Sequence, residues 1–325
     1  MPSHPALILL SISNFNMKKF LYHIFLYGIC FIVVGLVLIS QIKDPMSISS
    51  HEANVRLASE RIAQNEGPKI VIIGGSGCQF GFMSGMLAEH FHRPVVNTGT
   101  HACIGLQLQV NLFRDYLHAG DMVLLIPEYD QYGIEDFYLG AADETMLRIM
   151  LSNYKQGLRK LTSEQWLHAI PFIPQYISKA LTHSAHPFWT PYSIAGVNEY
   201  GDATNWEATP AVYKDNPSVN PLYCTPQPRI LAFIKEFKEQ CRNMDVQLYL
   251  FPPALALSES EQIKEYIYTL QQELWNNGTP FCVTPERYFL PDTLFFDTYY
   301  HLVYEGAYHR TNMVIHDLDS LQNVY

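Results

Sequence analysis

Hydrophobic and polar positions divide the chain into an apolar N-terminal run and a longer region of mixed α/β periodicity. Residues 20–41 contain no Asp, Glu, Lys or Arg and are dominated by Ile, Leu, Phe, Val and Tyr. A helix of this length spans a hydrocarbon core of roughly 30 Å. Lys18 and Lys19 precede the run, so the positive-inside rule predicts a cytoplasmic N-terminus, residues 1–19, and an extracytoplasmic remainder. A cleavable signal peptide is the alternative, but no small-x-small site ends the run, and we expect a single-pass signal anchor at 20–41.

From residue 68 onward, short apolar runs alternate with segments of helical periodicity. Continuous apolar runs bounded by Gly or Pro are typical of buried parallel strands. They predict strands at residues 69–73, 94–97, 122–126, 247–251 and 281–284. Helical patterns occur at residues 82–91, 106–117, 230–242, 259–276 and 304–318. Repeated βα units imply a parallel sheet with helices on both faces. The expected fold class is α/β, with a flavodoxin-like three-layer α/β/α arrangement of about five parallel strands.

Two segments depart from this alternation. Residues 42–67 are polar and include a helical stretch at 52–64, so we expect a linker that precedes an α/β domain at 68–325. Between residues 131 and 228 the periodicity is lost while Pro, Trp, Tyr and His accumulate. A structureless loop of that length is improbable in a compact domain. We therefore expect a partly helical insertion, with helices at 144–161 and 164–181, that could cover a site.

Charge and composition narrow the function classes. The 325 residues carry a net charge of −10 and no basic cluster, which argues against a nucleic-acid partner. About half of the residues are apolar, enough for a substantial core. The 21 Tyr and 18 Phe suit a surface for sugar or lipid, but an ordinary aromatic core is the simpler interpretation.

The motifs predict neither a metal nor a cofactor. The spacings of the six Cys match no zinc motif. Five of them follow the apolar run, and an odd number cannot all pair. Buried free thiols are the simplest interpretation, although a disulfide between two of Cys224, Cys241 and Cys282 stays open. Residues 74–77, Gly-Gly-Ser-Gly, match half of a dinucleotide fingerprint, but Phe80 stands at the third glycine position and no Walker lysine is present.

Three side chains suited to hydrolytic chemistry fall where ligands bind in an open parallel sheet. Ser76 follows the first predicted strand, and Asp297 and His301 lie four residues apart before the last predicted helix. Such sheets bind ligands at the carboxyl ends of their strands. A serine hydroxyl becomes a nucleophile when a base takes its proton and a further group orients that base. Structural roles stay open for the single residues, with Ser76 as a helix N-cap and His301 as an ordinary loop histidine.

Four short segments around these residues form a set of motifs. They are Gly74-Gly75-Ser76 and residues 95–102, 123–129 and 297–306. The set resembles the first, second, third and fifth blocks of the SGNH (GDSL-like) hydrolase superfamily, in particular its membrane-anchored branch associated with the acylation of cell-envelope polysaccharides. The resemblance covers roughly residues 68–130 and 225–318.

The resemblance implies roles for individual residues. Ser76 would be the nucleophile, His301 the general base and Asp297 its orienting acid. The backbone N–H of Ser76 and one from the second block, at Ala102 or Cys103, would hold the oxyanion. Further candidates for oxyanion or substrate binding are Asn97, Gly99, Glu128 and Tyr129.

Three positions depart from the superfamily pattern. Gly75 stands where an Asp usually precedes the nucleophile. Asp297 and His301 are one residue farther apart than in D-x-x-H, with Thr298 at the usual acid position. Glu128 stands in the third block, where an oxyanion-donating Asn is usual. A carboxylate there opposes a developing negative charge unless it is protonated or turned away, and the loss of one oxyanion donor typically lowers the rate about 100- to 1000-fold.

Two principal function classes remain as expectations. The first is a membrane-anchored serine esterase or O-acyltransferase that acts on an extracytoplasmic polysaccharide or another acyl ester. It would lie in the inner membrane with a periplasmic domain and could work with a membrane acyltransferase. The alternative is a catalytically degenerate subunit that keeps the fold and binds or assembles within a polysaccharide acylation or secretion system. A nucleotide-binding α/β protein is a less favoured third class.

Overall fold

A computed structural model describes residues 17–204 and 225–322, which fall into two compact units divided between Ile42 and Lys43. In the first unit the described residues form helix α1 (Met17–Gln41), whose side chains are not buried. Its 25 residues correspond to about 37 Å of helix. Within the described ranges it is the one helix long and apolar enough to span a membrane. The predicted N-terminal apolar helix is therefore confirmed.

The second unit is built on a four-stranded parallel sheet. Its strands are β1 (Ile70–Gly74), β2 (Val95–Asn97), β3 (Met122–Ile126) and β4 (Gln247–Leu250), in the order β2-β1-β3-β4. Every residue of β1 and β3 is buried, as the continuous apolar runs predict. On one side of β1 lies β2, and on the other side lie β3 and then β4, so the chain changes direction along the sheet after β2. Crevices for ligands form where the strand order reverses in this way.

The expected fifth strand is not formed. Residues 281–284 lie beside β4 through one backbone hydrogen bond, from Cys282 N–H to the Leu250 carbonyl at 2.9 Å. Pro280 and Pro285 flank the segment and carry no N–H for a longer ladder. A separate two-stranded parallel sheet instead follows β4. It consists of β5 (Leu255–Ala256) and β6 (Phe289–Leu290).

The helical patterns predicted at residues 82–91, 106–117, 230–242 and 304–318 each form one α-helix with shifted ends, whereas the pattern at 259–276 is divided into two helices at Ile263. Before and between the first three strands lie α2 (Pro45–Ser49), α3 (Asn54–Gln64), α4 (Ser76–Gln79), α5 (Ser84–Phe91) and α6 (Leu106–Phe113). After β3 follow α7 (Asp130–Gly133), α8 (Glu135–Leu139), α9 (Thr145–Arg148), α10 (Ser163–Ala169) and α11 (Ile173–Thr182). The C-terminal part holds α12 (Pro228–Asn243), α13 (Leu257–Gln262), α14 (Lys264–Asn276) and α15 (Tyr304–Gln322).

We expected residues 42–67 to act as a linker, but residues 43–67 belong to the second folded unit. Asp44 is fully buried, where its backbone N–H donates to Ser152 Oγ at 2.8 Å and its carboxylate caps α2. Asn54 Nδ2 donates to the carbonyl oxygens of Asn97 at 3.2 Å and Gly99 at 3.1 Å. This segment therefore supports the loop after β2, which holds the second motif.

The insertion is helical, but its helices are shorter than expected. The pattern at 144–161 is divided between α9, a π-helical turn (Ile149–Asn153) and a 3₁₀ helix (Lys155–Lys160), and the pattern at 164–181 between α10, a 3₁₀ turn (Ile170–Phe172) and α11. Pro171 and Pro174 explain the second division, because proline interrupts helical hydrogen bonding. Residues 205–224 of the insertion lie outside the described ranges.

The described cysteines are free thiols. Cys241 is buried in the domain, and burial raises the pKa of its thiol to about 12. Cys282 is free as well, whereas Cys224 lies outside the described residues. The interpretation as unpaired thiols is therefore confirmed for the four described cysteines that follow the apolar run, Cys78, Cys103, Cys241 and Cys282.

Candidate active site

Ser76 lies at the junction between β1 and α4. A Cβ added at Gly74 would lie 2.4 Å from the carbonyl oxygen of Ile126, so only glycine lets β1 approach β3 this closely at its end. Gly75 is the extended residue that precedes the helix, with φ −75° and ψ −168°. The chain then turns directly into α4 with Ser76 as its first residue. The sharp turn places the hydroxyl at the carboxyl edge of the sheet.

The structure brings Ser76, His301 and Asp297 together in a hydrogen-bonded row. His301 Nε2 lies 2.8 Å from Ser76 Oγ, and His301 Nδ1 lies 3.0 Å from Asp297 Oδ1. The His301 side chain is nearly buried, with 8% of it exposed. With Nδ1–H directed at the carboxylate, Nε2 presents its lone pair to the serine hydroxyl. That arrangement allows the imidazole to accept the Ser76 proton.

The extra residue between acid and base is accommodated in a tight loop. An antiparallel bridge between Phe295 and Leu302 closes it, and Phe296 N–H donates to the His301 carbonyl at 2.8 Å. The hydroxyl oxygen of Thr298, three residues before His301, accepts hydrogen bonds from backbone N–H groups, including that of His301 at 3.1 Å. Thr298 therefore fixes the turn and leaves Asp297 to reach the imidazole.

Two aromatic residues that the sequence interpretation missed hold the imidazole and the acid. Phe80 stacks on His301 with ring centroids 4.5 Å apart and an interplanar angle of 22°. Tyr192, from the insertion, donates its hydroxyl to Asp297 Oδ2, and the same oxygen lies 3.1 Å from His301 Nδ1. Tyr192 belongs to a Pro- and aromatic-rich stretch whose sequence gave no sign of a contact more than a hundred residues away. Only its placement in an insertion that could cover a site pointed in this direction.

These contacts change the protonation of the acid. Burial works against the charged form of Asp297, but hydrogen bonds from His301 and Tyr192 outweigh it and lower the pKa of Asp297. Burial and the neighbouring Asp297 carboxylate raise the pKa of the Tyr192 hydroxyl. At neutral pH the acid is thus ionised and Tyr192 keeps its proton, so Asp297 can orient His301.

Glu128 extends from the end of β3 to the N-terminus of α4. Its Oε1 accepts a hydrogen bond from Gly77 N–H at 3.0 Å and lies 3.5 Å from Ser76 Oγ. A Cβ added at Gly75 would lie 2.2 Å from Oε1, so the missing side chain at position 75 leaves the space that the carboxyl group fills. Burial, partly offset by the Gly77 hydrogen bond and by His301, raises the pKa of Glu128 to about 7.

The other sequence candidates have different surroundings. Asn97 is fully buried, where its amide donates to the Cys78 carbonyl at 3.0 Å and its oxygen accepts from Gly99 N–H at 2.9 Å. The Cys103 N–H donates to His101 Nδ1 at 3.2 Å. Asn97, Gly99 and Cys103 therefore fix the loop geometry and do not offer free donors.

Two candidates remain to be placed. The side chain of Tyr129 is fully buried in the core, and its backbone N–H donates to Tyr300 Oη at 2.9 Å. Ala102 N–H, like Ser76 N–H, makes no hydrogen bond within residues 17–204 and 225–322. Of the proposed backbone donors, the N–H groups of Ser76 and Ala102 are therefore the ones without an acceptor in the described part of the chain.

A pocket of about 350 Å³ opens beside the serine and histidine. Residues on its wall include Ser76, His301, Tyr192, Thr298, His51, His101, His186, Met46, Glu52 and Arg148. Burial lowers the pKa of His51 to about 4 and also lowers the pKa of His101, so both rings are neutral at pH 7. His101 Nδ1 accepts the Cys103 N–H, which leaves the proton on Nε2 as a donor.

The acid and the arginine of this wall, Glu52 and Arg148, pair with each other, and Glu144 and Lys179 extend the pairing beyond the wall. Arg148 Nε donates to Glu52 Oε2 at 3.0 Å and Arg148 Nη1 to Glu144 Oε1 at 3.0 Å, while Lys179 Nζ contacts Glu144 at 2.5 Å. Two cations thus offset two carboxylates. The wall offers hydrogen-bonding side chains without an excess of either charge, which suits an uncharged polar ligand.

The comparisons with known proteins add no further guide. No family model, curated protein or solved structure matches this chain.

Proposed function

We propose that this protein is a membrane-anchored serine esterase or O-acyltransferase of the SGNH type that acts on an acyl ester of an extracytoplasmic polysaccharide. The observation that carries the proposal is the row Ser76–His301–Asp297, with distances of 2.8 and 3.0 Å. The four-stranded sheet supports the flavodoxin-like arrangement of that superfamily, with residues 281–284 beside β4 in place of a fifth strand.

The geometry supports a two-step acyl transfer. Ser76 Oγ forms a bond to the ester carbonyl carbon as its proton moves to His301 Nε2, and the carbonyl electron pair moves onto the oxygen. When the tetrahedral adduct collapses, the bond to the alcohol breaks and His301 gives its proton to the departing oxygen. Asp297 holds the imidazolium by its Nδ1–H during both transfers. In the second step water (hydrolysis) or a sugar hydroxyl (transfer) attacks the acyl carbon as its proton moves to His301 Nε2. The bond between the acyl carbon and Ser76 Oγ then breaks, and His301 returns the proton to Ser76 Oγ.

The pocket supports a small acyl group on a neutral sugar. Its volume of about 350 Å³ lies at the lower end of the range of ligand sites. Neutral His51 and His101 and the hydroxyl groups of the wall suit the hydroxyl and carbonyl oxygens of a glycan ester. We accordingly propose acetyl as the acyl group.

Helix α1 supports the membrane part of the proposal. It would anchor the chain in the inner membrane with residues 1–19 in the cytoplasm and the α/β unit in the periplasm. Anchoring raises the effective concentration of the domain near envelope glycans and near a membrane acyltransferase that could supply acyl groups.

Ester turnover tests the proposal. The full chain in detergent is assayed with p-nitrophenyl acetate, and Ser76→Ala and His301→Ala serve as the matched variants. We expect turnover by the wild type, loss of at least about 100-fold in both variants, and labelling of Ser76 by a fluorophosphonate. Equal rates for all three proteins, without labelling, would reject an acyl-enzyme.

One observation favours a second function. The carboxyl group of Glu128 lies against the nucleophile and accepts the N–H of Gly77, where an ionised acid opposes an oxyanion. A subunit that has lost catalysis could keep the fold for binding or assembly. It would show no fluorophosphonate labelling in any variant and would co-purify with a membrane acyltransferase or a secretion complex.

A further inference from the structure

We propose that Glu128 is a catalytic residue that works in its protonated form, as a carboxylic acid that donates a hydrogen bond to the oxyanion of the tetrahedral adduct. This inference rests on the proposed esterase or acyltransferase function and adds an acid-dependent control to it. Glu128 would supply the oxyanion hydrogen bond that an Asn side chain supplies in the third block of the superfamily that this chain resembles.

The position of the carboxyl group carries the inference. Oε1 lies 3.5 Å from the attacking oxygen of Ser76 and accepts the Gly77 N–H at 3.0 Å. An adduct forms on Ser76 Oγ itself, so Glu128, whose Oε1 lies 3.5 Å from that oxygen, is one of the side chains nearest to the adduct. With Oε1 occupied by Gly77, the proton of a neutral Glu128 resides on Oε2, which makes no hydrogen bond within the described ranges. Oε2 is therefore available to donate.

The fit around Glu128 shows that the carboxyl group is built into the site. Glu128 N–H donates to Gln131 Oε1 at 3.1 Å, and the Gln131 amide donates to Gln109 Oε1 at 3.2 Å. Gly75 provides the space for Oε1, since any side chain there would begin 2.2 Å from it. A side chain that only filled a gap would need neither the hydrogen bond that fixes the Glu128 backbone nor a glycine at position 75.

The charges around Glu128 favour a neutral acid near neutral pH. The facing groups are the Ser76 hydroxyl and the Gly77 N–H on α4, His301 in the loop before α15, Asp130 on α7 and Arg310 on α15. The buried thiols of Cys78 and Cys103 also lie near it. Burial, the largest effect, and Asp130 raise the pKa of Glu128, while Gly77, His301 and Ser76 lower it, and the result is about 7.

The two protonation states of Glu128 have opposite effects on the adduct. An ionised Glu128 repels the oxyanion, whereas a neutral Glu128 donates to it without giving up its proton. The active form therefore has Glu128 protonated. Activity should fall as the pH rises through the pKa of Glu128.

Two variants of Glu128 test this. Glu128→Gln keeps the shape, lets its oxygen accept the Gly77 N–H and presents a permanent N–H donor. Glu128→Ala removes both. The assay is p-nitrophenyl acetate turnover by the full chain in detergent from pH 5.5 to 9, with the rate of Ser76→Ala subtracted and thermal melting used to check folding.

We expect the wild-type kcat/KM to fall about tenfold per pH unit above about 7, because one proton is lost from the active form. Glu128→Gln should lack this fall, so its rate relative to wild type rises about 30-fold between pH 6 and 8.5. Glu128→Ala should stay about 100- to 1000-fold below Glu128→Gln at every pH, as expected for a lost oxyanion donor.

Three results would overturn the inference. If the Gln and Ala variants are equally active, the carboxylate only repels and no donor is used. If the Gln variant keeps the alkaline fall of the wild type, another group causes it. Either result leaves the Ser76-dependent function intact, whereas turnover that does not depend on Ser76 in any variant overturns both proposals.

Discussion

Tyr192→Phe tests how far the insertion takes part in the site. The change deletes one hydroxyl group that donates to Asp297 Oδ2 and lies 3.1 Å from His301 Nδ1. A hydrogen bond to a charged group contributes about 1.5–3 kcal/mol. If that stabilisation serves the imidazolium in the transition state, its loss lowers kcat/KM by about 10- to 100-fold. The remaining 3.0 Å contact between His301 and Asp297 keeps the effect below the roughly 10⁴-fold that removal of an orienting acid can cause.

The pH dependence gives an independent readout. Because the Tyr192 hydroxyl helps to lower the pKa of Asp297, the variant should have a higher pKa at this acid, and the acid limb of its pH–rate profile should move to higher pH. A group with a lowered pKa in the folded state stabilises the protein above its unfolded pKa and loses that effect as the pH falls. The difference in melting temperature between wild type and variant should therefore shrink toward low pH.

The assay is ester turnover across pH, with Tyr308→Phe, an exposed residue of α15, as the matched control. Wild-type kcat/KM and an unmoved acid limb in Tyr192→Phe would refute the reasoning. The hydroxyl would then hold the insertion in place without acting on the acid.

Three further predictions concern the framework of the site. Gly75→Ala should destabilise the protein, because its Cβ would lie 2.2 Å from Glu128 Oε1. Adding Glu128→Ala should restore much of that loss, and additive effects of the two changes on thermal unfolding would contradict the contact. Lys69→Met should lower the free energy of unfolding by about 3–5 kcal/mol, since it leaves the fully buried Asp121 without the cation 2.7 Å away; a denaturant midpoint equal to that of wild type would show that the pair is not formed. Arg310→Met should lower kcat more than it raises KM, because Arg310 Nη1 donates to the Gly77 carbonyl at 2.7 Å and fixes the turn that carries Ser76. A change in KM alone would contradict this positioning role.

The parts of the fold that follow from local patterns could be predicted from the sequence. The runs that became β1 and β3 are apolar at every position, since both faces of these strands are buried, and the prediction of a parallel sheet follows from their alternation with helices. Residues 281–284 show the limit of this argument. Their composition suits a strand, but the flanking prolines limit their pairing with β4 to a single hydrogen bond.

Some residues of the candidate site could likewise be predicted from the sequence, and others could not. Ser76, Asp297 and His301 could be proposed because each stands next to a recognisable strand end or helix start. Tyr192 could not, because its contact with Asp297 bridges 105 residues and depends on how the insertion folds. The role of residues 43–67 was missed for a similar reason. Their polar character suggests a spacer, whereas Asp44 and Asn54 are buried through hydrogen bonds to distant parts of the chain.

The shared space between Gly75 and Glu128 has a consequence for how such sites diversify. Position 75 can take a side chain only when the residue at position 128 becomes shorter, so the two form one unit of variation although 52 residues of sequence separate the turn from the acid. A chain with a side chain before the nucleophile needs a shorter residue after β3, and a chain with a long acid after β3 needs glycine before the nucleophile. Among related chains the two positions should therefore covary, and a search pattern that scores them jointly would recognise sites of this type better than one that requires an acid before the serine.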